Sequence, residues 1–123
     1  IINKRRLNAR EYFEYLKDLN YVILPKEKKS EFNTYHTYVI KAEKRDQLKS
    51  YLEKKGILTK IHYPNLIFEQ DAYKKRFKNI NLNKFPVSKM LKRKILTLPI
   101  NQFLSSKQIK NICAEIKNFY KCL

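Results

Sequence analysis

Apolar positions recur at helical spacing near the start of the chain. Ala9, Tyr12, Phe13, Leu16 and Leu19 line one face, with Lys, Arg and Glu on the other, which predicts a helix over about 3–19. The charged, aperiodic stretch from Pro25 to Asn33 reads as a loop. Tyr35-His36-Thr37-Tyr38-Val39-Ile40 is rich in aromatic and β-branched residues and predicts a strand. Lys44 to Lys55 reads as a helix with its stripe at Leu48, Tyr51 and Leu52, and Gly56, the only glycine in the chain, stands just past its end. That placement suits the left-handed C′ position, where a Cβ costs energy. From Ile57 to Tyr63 the residues alternate, with Ile57, Thr59, Ile61 and Tyr63 on one side and Leu58, Lys60 and His62 on the other. This predicts a second strand, stopped by Pro64.

A short helix is expected over Phe68 to Phe77, followed by a polar, Asn-rich loop. Val87 to Lys94 predicts another helix, opened by Pro86, and Ile95 to Leu98 a third strand, closed by Pro99. Ser105 is placed as the N-cap of the last helix, with Gln108 completing a capping box. Ile109, Ile112, Cys113, Ile116, Phe119 and Tyr120 form its apolar stripe. This order predicts an α+β fold, a small and mainly antiparallel sheet of about three strands covered by helices. With no internal repeat or low-complexity linker, one domain is expected over residues 1–123.

Composition supports a packed core: 43% of the 123 residues are hydrophobic and 13% aromatic, too many for a disordered tail. No apolar run approaches the roughly 20 residues of a membrane span, so a soluble piece is expected. The formal net charge of +17 raises the question of a polyanion partner. However, Lys26 to Lys29, Lys54-Lys55, Lys74-Lys75-Arg76 and Lys92-Arg93-Lys94 fall in separate segments, opposite the apolar stripes. A generally solvated basic surface fits that distribution better than a dedicated patch. Cys113 and Cys122 both fall in the last predicted helix, roughly 13 Å apart at about 1.5 Å per residue, too far for a disulfide. Free thiols fit a reducing cytoplasm, and the spacing of a zinc site is missing, so no metal is expected.

A single glycine excludes nearly every phosphate cradle, because a Walker loop or dinucleotide fingerprint needs several. No serine sits in a nucleophile elbow, and the 11 acidic residues are dispersed. No catalytic residue is therefore assigned. His62-Tyr63-Pro64 stands out, since a strand ending in two hydrogen-bonding rings is a place where ligands are met. Spacing alone favours the plainer alternative, with Tyr63 in the core beside Ile61 and His62 a solvated strand-end residue. His36 is expected to be a packed strand histidine.

The ordered series of short motifs resembles the C-terminal region of the DegT/DnrJ/StrS family of pyridoxal-phosphate (PLP) sugar aminotransferases. It comprises Tyr35 to Ile40, Arg45-Asp46-Gln47-Leu48, Leu52 to Ile57, Ile61-His62-Tyr63-Pro64 with Gln70, Ala72 and Tyr73, Phe85-Pro86-Val87-Ser88 and Ile95 to Pro99. Lys4-Arg5-Arg6 is similar to the family's entry into this region. Two positions depart from the pattern: Phe68 stands where the family often has a second His, and Ile100-Asn101-Gln102 where an aromatic or His precedes Pro.

The resemblance implies the small C-terminal domain of a fold type I transferase whose large PLP-binding domain lies upstream and is absent from this chain. It implies a full-length homodimer that moves an amino group, usually from glutamate, onto a nucleotide-linked keto-sugar, in cell-surface polysaccharide or glycoconjugate biosynthesis. PLP and its lysine would belong to the large domain, so the chain alone is expected to bind no cofactor and to be inactive. By match of position, His62 and Tyr63 are the residues expected to face the nucleotide-sugar substrate. A free-standing basic nucleic-acid-binding domain is the alternative, weakened because the aromatic residues are predicted mainly on inward faces. A third reading is an orphan domain that dimerises or inhibits a full-length enzyme.

Overall fold

Helix α1 (Ile2–Leu16) leads into a two-residue strand β1 (Val22–Ile23), and a long loop then reaches β2 (Tyr38–Ala42). Helix α2 (Arg45–Lys54) follows, then a 3-10 turn (Ile67–Glu69), the short α3 (Asp71–Lys74) and a second 3-10 turn (Leu82–Lys84). Helix α4 (Pro86–Lys94) runs directly into β3 (Ile95–Leu98), and α5 (Ser106–Lys121) closes the chain. The structure, a computed structural model, describes residues 1–76 and 80–122, without the side chain of Leu82. Phe77, the expected end of the helix after Phe68, lies outside the described residues. The rest of that helix resolves into the 3-10 turn and α3.

The sheet is three-stranded and antiparallel, in the order β1-β2-β3. Tyr38 pairs with Leu98 and Ile40 with Leu96, and these four side chains share the buried face. Leu48 and Leu52 of α2, Ala9, Tyr12 and Leu16 of α1, and Ile109, Ile112, Cys113, Ile116 and Tyr120 of α5 join them in one core. The expected stripe of α5 is thus the buried one, with Phe119 only partly covered. Its N-terminus carries the expected capping box between Ser105 and Gln108.

Gly56 adopts φ 74°. Its N–H donates to the Glu53 carbonyl and that of Ile57 to the Leu52 carbonyl, each at 2.9 Å, which is a Schellman ending for α2. In α1 the stripe differs from expectation in two places. Phe13 is exposed, whereas Asn8 is fully buried and donates from Nδ2 to the Asn101 carbonyl at 2.9 Å. Tyr12 stacks on Tyr38 at 5.0 Å between centroids and donates to the Pro99 carbonyl at 2.8 Å. Asn8 and Tyr12 thereby tie α1 to the loop after β3.

Three sequence expectations are corrected. The first strand begins at Tyr38 rather than Tyr35, and His36 is neither packed nor in a strand: it is exposed, with Nδ1 3.5 Å from Nη1 of Arg5. The third strand of the sheet is β1, too short to leave a period in the sequence. Its place was expected to go to Ile57–Tyr63, which meets β3 at a single bridge, Lys60 with Thr97. The neighbouring rungs are both blocked. On one side stands Pro99, which has no N–H to donate. On the other, Ile95 spends its N–H on the Leu91 carbonyl and its carbonyl on Nη1 of Arg45.

Candidate functional site

The Lys60 bridge positions the site. Lys60 N–H donates to the Thr97 carbonyl at 3.1 Å and Thr97 N–H to the Lys60 carbonyl at 2.7 Å, so the segment leading to His62 lies along the edge of β3. Alternation holds up to that point: Ile57 and Thr59 are buried, Leu58 and Lys60 exposed. Two residues past Lys60, the His62 ring turns back over the strand, and its Nδ1 lies 3.0 Å from Oγ1 of Thr97. The His62–Tyr63 peptide is cis. Tyr63 is 74% exposed, with its ring edge-on to His62 at 5.6 Å between centroids.

The structure therefore inverts the plainer of the two sequence readings. Tyr63 is the solvated ring, and His62 is the half-buried one with a defined partner. Thr97 lies within the Ile95 to Pro99 landmark but was given no role of its own, and it proves to be the residue that holds His62. The alternation of β3 turns it to the face opposite Leu96 and Leu98.

Beyond Pro64 a second tether forms. One carboxylate oxygen of Glu69 accepts from the Leu66 N–H at 2.8 Å and from Nζ of Lys92 at 2.6 Å. The Lys92 ammonium, and after it the Leu66 amide, hold the Glu69 carboxyl below the usual carboxylate range. This pair fastens the turn after His-Tyr-Pro to the last turn of α4. Phe68, the first departure from the family pattern, packs on Phe85 at 5.3 Å between centroids. Asn101, the second departure, accepts the Phe103 N–H on its side-chain oxygen at 2.9 Å. It thus shapes the turn before α5 by an Asx bond rather than by a proline.

Nothing among the described residues fits a PLP cradle. No described lysine is buried, as one forming an imine with the cofactor would be expected to be. Gly56 sits at a helix C-terminus, where an added Cβ would meet nothing within 4 Å. No helix among the described residues is long and apolar enough to cross a membrane. The aromatic residues face inward less than the periodicity predicts: Tyr12, Tyr35, Tyr38 and Tyr120 are buried, whereas Phe13, Tyr21, Phe32, Tyr63, Tyr73, Phe85 and Phe103 are exposed.

Among solved structures, this fold recurs as one region of aminotransferases. An aminotransferase from Brucella abortus, 32% identical, superposes with a TM-score of 0.84 over 96% of this chain and 31% of its own. The chain belongs to the DegT/DnrJ/EryC1/StrS aminotransferase family, which it matches over residues 1–117. The erythromycin biosynthesis sensory transduction protein EryC1 of Saccharopolyspora erythraea is 32% identical over 116 residues, covering 94% of this chain and 31% of the relative. The dTDP-3-amino-3,6-dideoxy-alpha-D-galactopyranose transaminase of Aneurinibacillus thermoaerophilus is 25% identical, also over 94% of this chain and 31% of the relative. The chain thus spans about 31% of the length of these curated relatives. The comparisons lend no support to nucleic-acid binding.

Proposed function

We propose that the chain is the small C-terminal domain of a PLP-dependent aminotransferase that moves an amino group, from glutamate, onto a nucleotide-linked keto-sugar. The observation that carries this reading is the family match over residues 1–117, with relatives named as transaminases of dTDP-amino sugars. On this reading the enzyme is cytoplasmic and homodimeric, and serves cell-surface polysaccharide or glycoconjugate biosynthesis. PLP would supply the electron sink for amino-group transfer, held by residues outside this chain. The residues here would bind and orient the other substrate. His62 offers a ring nitrogen at the mouth of the sheet, Tyr63 an exposed ring for the sugar or base, and Lys60 positive charge on the same edge.

The surface around His62 supports a missing cover. From His62 to Ile95 no described residue is buried, yet Ile67 is 69% exposed, Val87 63% and Phe85 42%. A stretch in which no described large apolar group is buried fits a surface made to meet another domain. The test is steady-state kinetics of the full-length enzyme on a nucleotide-linked keto-sugar. His62→Ala is expected to lower kcat/KM for the sugar roughly ten- to hundredfold while leaving the reaction with glutamate nearly unchanged. Absence of transaminase activity in the full-length protein would overturn the function. An unchanged sugar kcat/KM would remove His62 from the site.

A further inference from the structure

We infer that Thr97 is a positioning residue: its hydroxyl donates to Nδ1 of His62, fixes the imidazole in its Nε2–H form, and so makes His62 a hydrogen-bond donor to an oxygen of the nucleotide-sugar. The last step rests on the substrate role proposed for His62. The first two rest on geometry alone.

Thr97 has little freedom. It pairs with Val39 of β2 on one side and exchanges both backbone hydrogen bonds with Lys60 on the other. Its β-branched side chain has restricted χ1, and the residue is 8% exposed. Oγ1 is thereby held at one place, and Nδ1 of His62 is its only hydrogen-bond partner among the described residues.

Proton bookkeeping decides the direction of that bond. If Nδ1 carried the proton and donated to Oγ1, the hydroxyl proton of Thr97 would be left in a covered position without an acceptor. A covered donor left unmet keeps the full penalty of its desolvation. If the hydroxyl donates instead, its proton and the Nδ1 lone pair are both satisfied, and the ring proton resides on Nε2. The second arrangement leaves nothing unpaired. A ring held this way turns an N–H outward, which suits phosphate, hydroxyl or carbonyl oxygens and makes the neutral ring a poor proton acceptor at its free edge.

The test has two arms. In the first, 15N NMR of the 123-residue chain above the imidazole titration reads which ring nitrogen of His62 carries the proton. Wild type and Thr97→Ser are expected to hold the Nε2–H form, and the isosteric Thr97→Val to show a mixture of both forms with unchanged amide dispersion. A dominant Nδ1–H form in wild type overturns the inference without recourse to any variant, as does a Thr97→Val spectrum identical to wild type. In the second arm, Thr97→Val in the full-length enzyme is expected to lower kcat/KM for the nucleotide-sugar about three- to tenfold. The effect should fall mainly on KM, be restored by Thr97→Ser, and leave the glutamate reaction unaffected. If the ring form responds in the first arm but sugar kinetics do not in the second, Thr97 still orients His62, and the substrate role of His62 is what fails.

Discussion

Arg45 and Ile95 stand 50 residues apart in the chain, and Nη1 of Arg45 donates to the Ile95 carbonyl at 2.9 Å. The same guanidinium donates from Nη2 to the Lys92 carbonyl at 3.1 Å and from Nε to Asp46 at 2.7 Å. A nearly buried cation thus caps the C-terminal carbonyls of α4, where the helix dipole favours it, and occupies the carbonyl that a longer strand before His62 would need. Arg45→Met should leave those carbonyls without their donor and cost about 2–3 kcal/mol in a urea titration. Arg45→Lys should recover only part of this, because one ammonium lacks the fork that reaches both carbonyls. Equal stability of Arg45→Met and wild type would show that the cap contributes nothing.

The stripe of α5 carries the core. Ile116 is fully buried, so Ile116→Ala should cost roughly 2–4 kcal/mol. Lys110, exposed on the same helix, should cost under about 0.5 kcal/mol when changed to Ala. Matching midpoints for the two variants in chemical denaturation would contradict the packing described.

Glu69 should make the turn after His-Tyr-Pro acid-sensitive. Its carboxyl is held below the ordinary value of 4.5 by Lys92 and the Leu66 amide. A depressed folded pKa means the stabilising contribution is present in full above the unfolded value and is lost as pH falls through the lower, folded one. The Leu66 amide resonance should therefore stay constant from neutral pH to about 5 and move only below the usual carboxylate range. In Glu69→Gln that movement should vanish. A titration of Leu66 at or above the usual value would mean that the Lys92 contact is not formed in solution.

The two thiols should differ sharply. Cys113 is buried and Cys122 exposed, and burial pushes the Cys113 thiol up to about 12. Native protein treated with a thiol-specific disulfide reagent at pH 8 should titrate one thiol quickly, and the second only after denaturant is added. Fast reaction of both in native protein would place Cys113 outside the core.

Where an element's signal lies within a turn or two of chain, the sequence alone sufficed. The capping box at Ser105, the C′ glycine at position 56, Pro86 opening α4 and the stripe of α5 all depend on neighbours a few residues away, so propensity and spacing carry them. The family resemblance was legible for the same reason, as a series of such local landmarks. Tertiary structure decided what depends on distant partners. Asn8 is buried where its amide meets the Asn101 carbonyl, 93 residues away in the chain. β1 exists only as the edge partner of Ala42 and Lys41. Ile57–Tyr63 alternates as a strand should, but an alternating pattern cannot reveal that Ile95 and Pro99 offer it no further rungs. For that reason the His-Tyr pair was visible in the sequence, while its orientation, His62 turned in onto Thr97 and Tyr63 out to solvent, was not. The hydrogen bond that turns His62 inward joins residues 35 apart in the chain.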